Sequence, residues 1–93
     1  NFWKKYNEPW LKEAIQRGDD FWAASNPLDI DLLFKKLDRV PVDKLKTPQD
    51  FAEYLKTLND PLVLEQITGF GNEVRTLSQY GYIYETTSKM FKK

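Results

Sequence analysis

The chain has 93 residues, 41% of them hydrophobic and 15% aromatic, which suits one compact domain and is too aromatic for a disordered tail. Fourteen Lys and Arg balance fourteen Asp and Glu, so the surplus of cations that phosphate neutralisation demands is missing and a nucleic-acid partner is not expected. With no Cys and no His, these residues supply no thiol nucleophile, disulfide, zinc knuckle, His general base or Ser–His–Asp triad.

Four of the five prolines share one position in the local pattern. Glu8-Pro9, Asn26-Pro27, Thr47-Pro48 and Asp60-Pro61 each set a polar residue before Pro and an apolar or amphipathic stretch after it. Proline suits the first helical turn, where its missing N–H would have no intrahelical partner. Asn, Thr or Asp ahead of it can accept from the exposed N–H groups that follow. The pattern predicts a first helix from Pro9 to Arg17, with Trp10, Leu11, Ala14 and Ile15 on one face and Gly18 as its stop. A second is expected from Pro27 to Leu37, with Leu28, Leu32, Leu33 and Leu37 inward and Ile30 and Phe34 flanking. Residues 38–46 read as a linker, since Pro41 bars a continuing helix. The third helix spans Pro48 to Leu58 and buries Phe51, Leu55 and Leu58, and Thr47-Pro48-Gln49-Asp50 forms a variant capping box at its start. A short fourth covers Pro61 to Ile67. A fifth covers Gly71 to Tyr80, with Phe70, Val74 and Leu77 at helical spacing and Gly81 as the stop.

The pattern then changes. Tyr82–Glu85 and Lys89–Phe91 are β-prone and flank Thr86-Thr87-Ser88, which predicts a small hairpin packed on the helices. The expected fold is therefore mainly α, about five short helices with a C-terminal β-hairpin. The alternative is α+β with a three-stranded sheet, its extra strand drawn from Asp38–Leu45 or Asp20–Ala24. The expected core comprises Trp10, Leu11, Ile15, Leu33, Leu37, Phe51, Leu55, Val74 and Leu77, with Trp22 also read as core. No apolar run approaches the roughly 20 residues a membrane span needs. The start at Asn1-Phe2-Trp3, without Met or a signal pattern, reads as one domain (1–93) cut from the C-terminal part of a longer protein.

Three strings could carry chemistry. Arg17-Gly18-Asp19-Asp20 sets two carboxylates beside a cation, able in principle to hold a metal or move a proton, although Asp and Gly after a helix are ordinary turn residues. Gly69-Phe70-Gly71-Asn72-Glu73 could bring backbone N–H groups to an anion at a helix start, yet it lacks the Gly-Lys-Ser/Thr of a P-loop and does not fit GxGxxG. The early aromatics Phe2, Trp3, Tyr6, Trp10, Phe21 and Trp22 could form a stacking platform, but such sets more often build core and interface. Asp29 and Asp31, two apart, do not share a helix face and fit a dipole role near a helix start.

Two longer strings carry a resemblance. They are Phe2-Trp3-x-x-Tyr6-Asn7-x-Pro9-Trp10-Leu11-x-x-Ala14-Ile15-x-Arg17-Gly18-Asp19-Asp20, continuing to Ala24-Ser25-Asn26-Pro27, and Gly69-Phe70-Gly71-x-Glu73-Val74-x-x-Leu77-x-x-x-Gly81-Tyr82-x-Tyr84, closing with Thr87-x-Lys89-Met90. Together they resemble the extreme C-terminal region of bacterial polymorphic toxins, the variable tips of Rhs-repeat, haemagglutinin-like and type VI-associated secreted proteins. The likeness covers both ends of the chain, roughly half its residues, and fits residues 35–66 less well. It implies a secreted domain delivered into competing cells and neutralised at home by a cognate immunity protein. It implies no particular catalytic residue or cofactor, and the absence of His departs from many toxin nucleases. If the domain is an enzyme, the residues themselves favour Glu73 with Asp20 or Asp19 as acid–base carboxylates. Arg17 and Arg75 would then bind an anionic substrate, with Tyr82 or Tyr84 assisting, and no metal-ligand set is predicted. The competing expectation is a noncatalytic module that docks a toxin to its immunity protein, chaperone or carrier.

Overall fold

Every helix whose start can be described is opened by a side chain just ahead of it. The computed structural model describes residues 13–18, 20–23 and 25–93. Residues 13–16 are helical (α1), followed by α2 (Ile30–Leu33), a 3-10 turn (Val42–Lys44), α3 (Pro48–Thr57), α4 (Pro61–Leu64) and α5 (Gly69–Gln79). Asp29 caps α2 by accepting from the Asp31 N–H at 3.1 Å. Thr47 opens α3 with the expected capping box: its hydroxyl accepts from the Asp50 N–H (3.1 Å) and the Asp50 carboxylate accepts from the Thr47 N–H (3.0 Å). Asp60 caps α4 through the Leu62 N–H, and Thr68 caps α5 through the Gly71 N–H.

The helix ends follow the glycines. Gly18 (φ 78°) and Gly81 (φ 90°) take the left-handed conformation that costs other residues about 1–2 kcal/mol. Beyond α5, the Tyr82 N–H reaches the Leu77 carbonyl and the Gly81 N–H reaches that of Ser78. This Schellman pair satisfies the final carbonyls and sends Tyr82 into the core.

Three strands complete the fold: β1 (Phe21–Trp22), β2 (Ile83–Glu85) and β3 (Met90–Lys92), antiparallel in the order β1-β3-β2. The expected hairpin is β2–β3. Its sheet gains the third strand from within Asp20–Ala24, as the α+β alternative required, while 38–45 forms turns. The fold is mainly helical with a small sheet. Phe21 pairs with Phe91, and Phe91 with Tyr84, so these three rings share the inner face. Phe21 meets the Tyr82 ring edge-on at 5.3 Å, and Tyr84 lies 5.4 Å from Phe91. One hydrophobic cluster joins this face to Ile15, Leu33, Phe51, Leu55, Val74 and Leu77.

Several expectations need correction. The second helix does not start at Pro27: Asn26 and Pro27 form a turn, Pro27 is buried, and α2 begins at Ile30 and lasts one turn. It ends because Phe34 turns extended to bridge Ile67, and the Leu33 carbonyl accepts from the Thr68 N–H instead of from a further helical turn. Leu32 is consequently exposed and Phe34 buried, the reverse of the expectation, and Leu37 is half-buried. Trp22 is 68% exposed rather than core, because strand alternation that points Phe21 inward must point its neighbour outward. α5 starts at Gly69, not Gly71, since Thr68 is its cap. The expectations for Pro9, Trp10, Leu11 and the earlier aromatics fall outside the described residues.

Gly71 separates two roles for glycine. A Cβ there would overlap the Leu33 carbonyl oxygen and come 2.7 Å from the Ile67 side chain, so α5 packs against α2 only without one. At Gly81 the space is open and only the backbone angle is demanding. Gly71→Ala should lower stability in urea denaturation by about 2–3 kcal/mol through overpacking, and Gly81→Ala by about 1–2 kcal/mol through backbone strain. Equal stability of Gly71→Ala and wild type would refute the close approach.

Candidate functional site

The expected site residues sit on three elements. Arg17 lies exposed at the end of α1, and Asp20 lies exposed immediately before β1. Asp19 is outside the described residues. Glu73 and Arg75 are half-buried on α5, two positions apart, a spacing that sends side chains to different sides of a helix. Tyr82 is buried, packed edge-on against Phe21, with the Lys93 ammonium 5.3 Å above its ring.

The fold sets the chain segments that carry Asp20 and Tyr82 beside each other. Phe21 touches Tyr82, so the Asp20 end of β1 lies against the segment that follows α5. Glu73 and Asp20 share none of the clefts described below. Arg75 is turned to the end of α3, where its guanidinium donates to the Leu58 carbonyl at 3.3 Å. Leu58 is the C-cap of α3, so Arg75 places a cation at the negative end of that helix. Its buried Nε has no hydrogen-bond partner among the described residues. Glu73 is held differently. Partial burial pushes its carboxyl above the ordinary glutamate range, because desolvation penalises the charged form.

The Gly69-Phe70-Gly71 string is the start of α5 and not an anion-binding loop. The Gly71 N–H is taken by the Thr68 hydroxyl, and Gly71 faces the backbone of α2. Among the described residues no group of three or more Asp or Glu gathers as a metal site would require, and no helix is long and apolar enough to cross a membrane.

Two clefts were not foreseen. One, of about 230 Å³, lies between the 36–40 turn and α4, lined by Lys36, Asp38, Arg39, Leu62, Glu65 and Gln66. Its charges cancel, and Arg39 is tied by its Nε to the Asp60 carboxylate at 3.2 Å. The other, of about 430 Å³, opens between the 23–28 loop and the β2–β3 turn, lined by Ala23, Ser25, Asn26, Leu28, Tyr84, Thr86 and Lys89. No carboxylate among the described residues lines it. The sequence hid this cleft because its two halves lie some 60 residues apart and meet only through β1–β3 pairing. Its one local signal is a turn, Thr86-Thr87-Ser88-Lys89, that contains no glycine.

The pH dependence of stability should separate Glu73 from the capping carboxylates. Its raised folded pKa means a penalty fully present above that value and absent below about 4.5, the ordinary glutamate value. Asp50 has the opposite sign. Backbone N–H donation from Thr47 and Lys46 holds it below its ordinary value, so its contribution is lost as pH falls through that lowered range. Asp60 behaves likewise, held low first by the Leu62 N–H and then by Arg39. Thermal melts should therefore show Tm rising as Glu73 takes up its proton on the way down toward pH 4.5, then dropping below about 4. Glu73→Gln should raise Tm at pH 7 and flatten the upper limb alone. A lower Tm at pH 7 would mean that the charged carboxylate is stabilised by a partner.

Compared with protein families, characterised proteins and solved structures, the chain shows no significant match to any.

Proposed function

We propose that this domain is a protein-interaction module of a secreted bacterial antagonist, the part of a polymorphic toxin gripped by its cognate immunity protein, chaperone or carrier. The antagonist context rests on the two resembling strings at the ends of the chain. The interaction role rests on one observation, Trp22 lying 68% exposed on the edge strand β1. Tryptophan is among the residues that contribute most when an interface covers them. Ile83, on the opposite edge strand, is also exposed. The strand register sets Trp22 and Met90 on the same outer face of the sheet.

The second reading is a catalytic toxin, and Glu73 favours it. Burial shifts the Glu73 carboxyl in the direction a general acid requires, above the ordinary glutamate range. Asp20 would be its partner, with Arg17 and Arg75 toward an anionic substrate. On the interaction reading, these residues serve local structure, as Arg75 does at the end of α3.

Expression of residues 1–93 in a bacterial cytosol, alone and with the product of the adjacent downstream gene, distinguishes the two. The interaction module leaves growth unchanged and copurifies with its partner. Trp22→Ala then weakens that complex at least tenfold, about 1.4 kcal/mol or more, without lowering Tm. Growth arrest that Glu73→Gln and Asp20→Asn each abolish, in variants that remain folded, would establish the catalytic reading instead.

A further inference from the structure

We infer that the cleft between the 23–28 loop and the β2–β3 turn binds a phosphomonoester of sugar-phosphate size. Ser25, Thr86 and Tyr84 contribute hydroxyls, Asn26 a carboxamide and Lys89 an ammonium. Among the described residues, none of those three hydroxyls nor the Lys89 ammonium has a hydrogen-bond or ion-pair partner in the protein. The Asn26 carboxamide oxygen accepts from the Leu28 N–H at 3.0 Å, which fixes the group and leaves its two N–H donors available. The cleft thus collects donors that no described protein group takes up and that are left to solvent or a ligand.

The charge pattern selects the ligand. Among the described residues, one cation and no carboxylate line the cleft, so an anion entering it meets no like charge from them. The nearest acidic side chain in the hairpin, Glu85, alternates to the other face from Tyr84 and sits 3.6 Å from the Lys92 ammonium. Five donor groups exceed what the two oxygens of a carboxylate use well and suit the three terminal oxygens of a phosphomonoester. The volume of about 430 Å³ leaves room for a body of sugar size.

Lys89 adds an independent reason. It is the single non-glycine residue at positive φ (59°) among the described residues, where Gly or Asn would sit at less cost. Its backbone is held on both sides: the Lys89 N–H donates to the Glu85 carbonyl, and the Lys89 carbonyl accepts from the Ala23 N–H, both at 2.9 Å. A lysine kept in a glycine's conformation contributes its charge, not its backbone preference. This site is separate from the outer sheet face invoked above and stands whether or not that reading holds.

The test is an NMR titration of amide resonances in the 93-residue chain with ribose 5-phosphate, inorganic phosphate and ribose. Ribose 5-phosphate should give saturable shifts at Ala23, Ser25, Asn26, Thr86 and Lys89. Inorganic phosphate should bind the same residues more weakly, and ribose should shift none of them. Lys89→Asn keeps a residue suited to the left-handed backbone and should weaken binding about tenfold without lowering Tm. Thr86→Val, which deletes one donor at constant shape, should weaken it severalfold and serves if Lys89→Asn fails to fold. Saturable shifts elsewhere, equal binding of ribose, no saturable shift, or unchanged affinity in the variants would each overturn the proposal.

Discussion

The fold turns on the junction where α2 stops and α5 begins, and Thr68 makes it. Its N–H donates to the Leu33 carbonyl at 2.9 Å, so a group that would otherwise continue α2 is satisfied from elsewhere in the chain. Its hydroxyl reaches the Leu32 carbonyl at 2.6 Å and accepts from the Gly71 N–H at 2.9 Å, which starts α5. One residue therefore ends one helix and opens another, 35 positions away. The absence of a Cβ at Gly71 then lets the two backbones approach closely enough for these bonds to form. Because a helix end left without partners is costly when buried, the Thr68 contacts fix both the length of α2 and the position of α5.

This junction explains what could and could not be read from the sequence. Local signals were legible where the partner lies within a few residues. The Thr47–Asp50 capping box, the Asp60-Pro61 start and the Gly81 stop are all of that kind. The length of α2 was not legible, because Leu28, Leu33 and Leu37 have helical spacing and nothing nearby announces Thr68. Trp22 misled for the related reason that its exposure depends on Phe21 pairing with Phe91, 70 positions along the chain. Gly69-Phe70-Gly71 was distinctive for a packing reason, although glycines at a helix start also suit anion binding. A single sequence does not tell a glycine that admits a ligand from one that admits a neighbouring helix.

The candidate site residues divide along the same line. Arg75 and Glu73 were selected for their chemistry and for the glycines beside them. Arg75 has a structural partner in the Leu58 carbonyl, while Glu73 keeps a half-buried carboxyl whose only perturbation is desolvation. A residue of the second kind carries the cost of desolvating its charged form. The hairpin cleft has no such local mark, since Ser25, Asn26 and Lys89 are unremarkable until β1 sets them side by side.

β1 is only two residues long, yet both surfaces considered for binding depend on it. Its pairing with β3 turns Phe21 into the core and Trp22 out of it. The Ala23 N–H bonded to the Lys89 carbonyl draws the 23–28 loop against the hairpin turn and so forms the cleft. A two-residue strand contributes little ladder energy, so its position must come mainly from Phe21, which is buried and packs edge-on against Tyr82. The Schellman turn at Gly81 in turn places Tyr82. The order of cause therefore runs from a left-handed glycine, to a buried tyrosine, to a phenylalanine packed on it, to the loop and tryptophan that follow. Loosening any early step would open the cleft and displace Trp22 together, although the two lie on different faces and share no side chain.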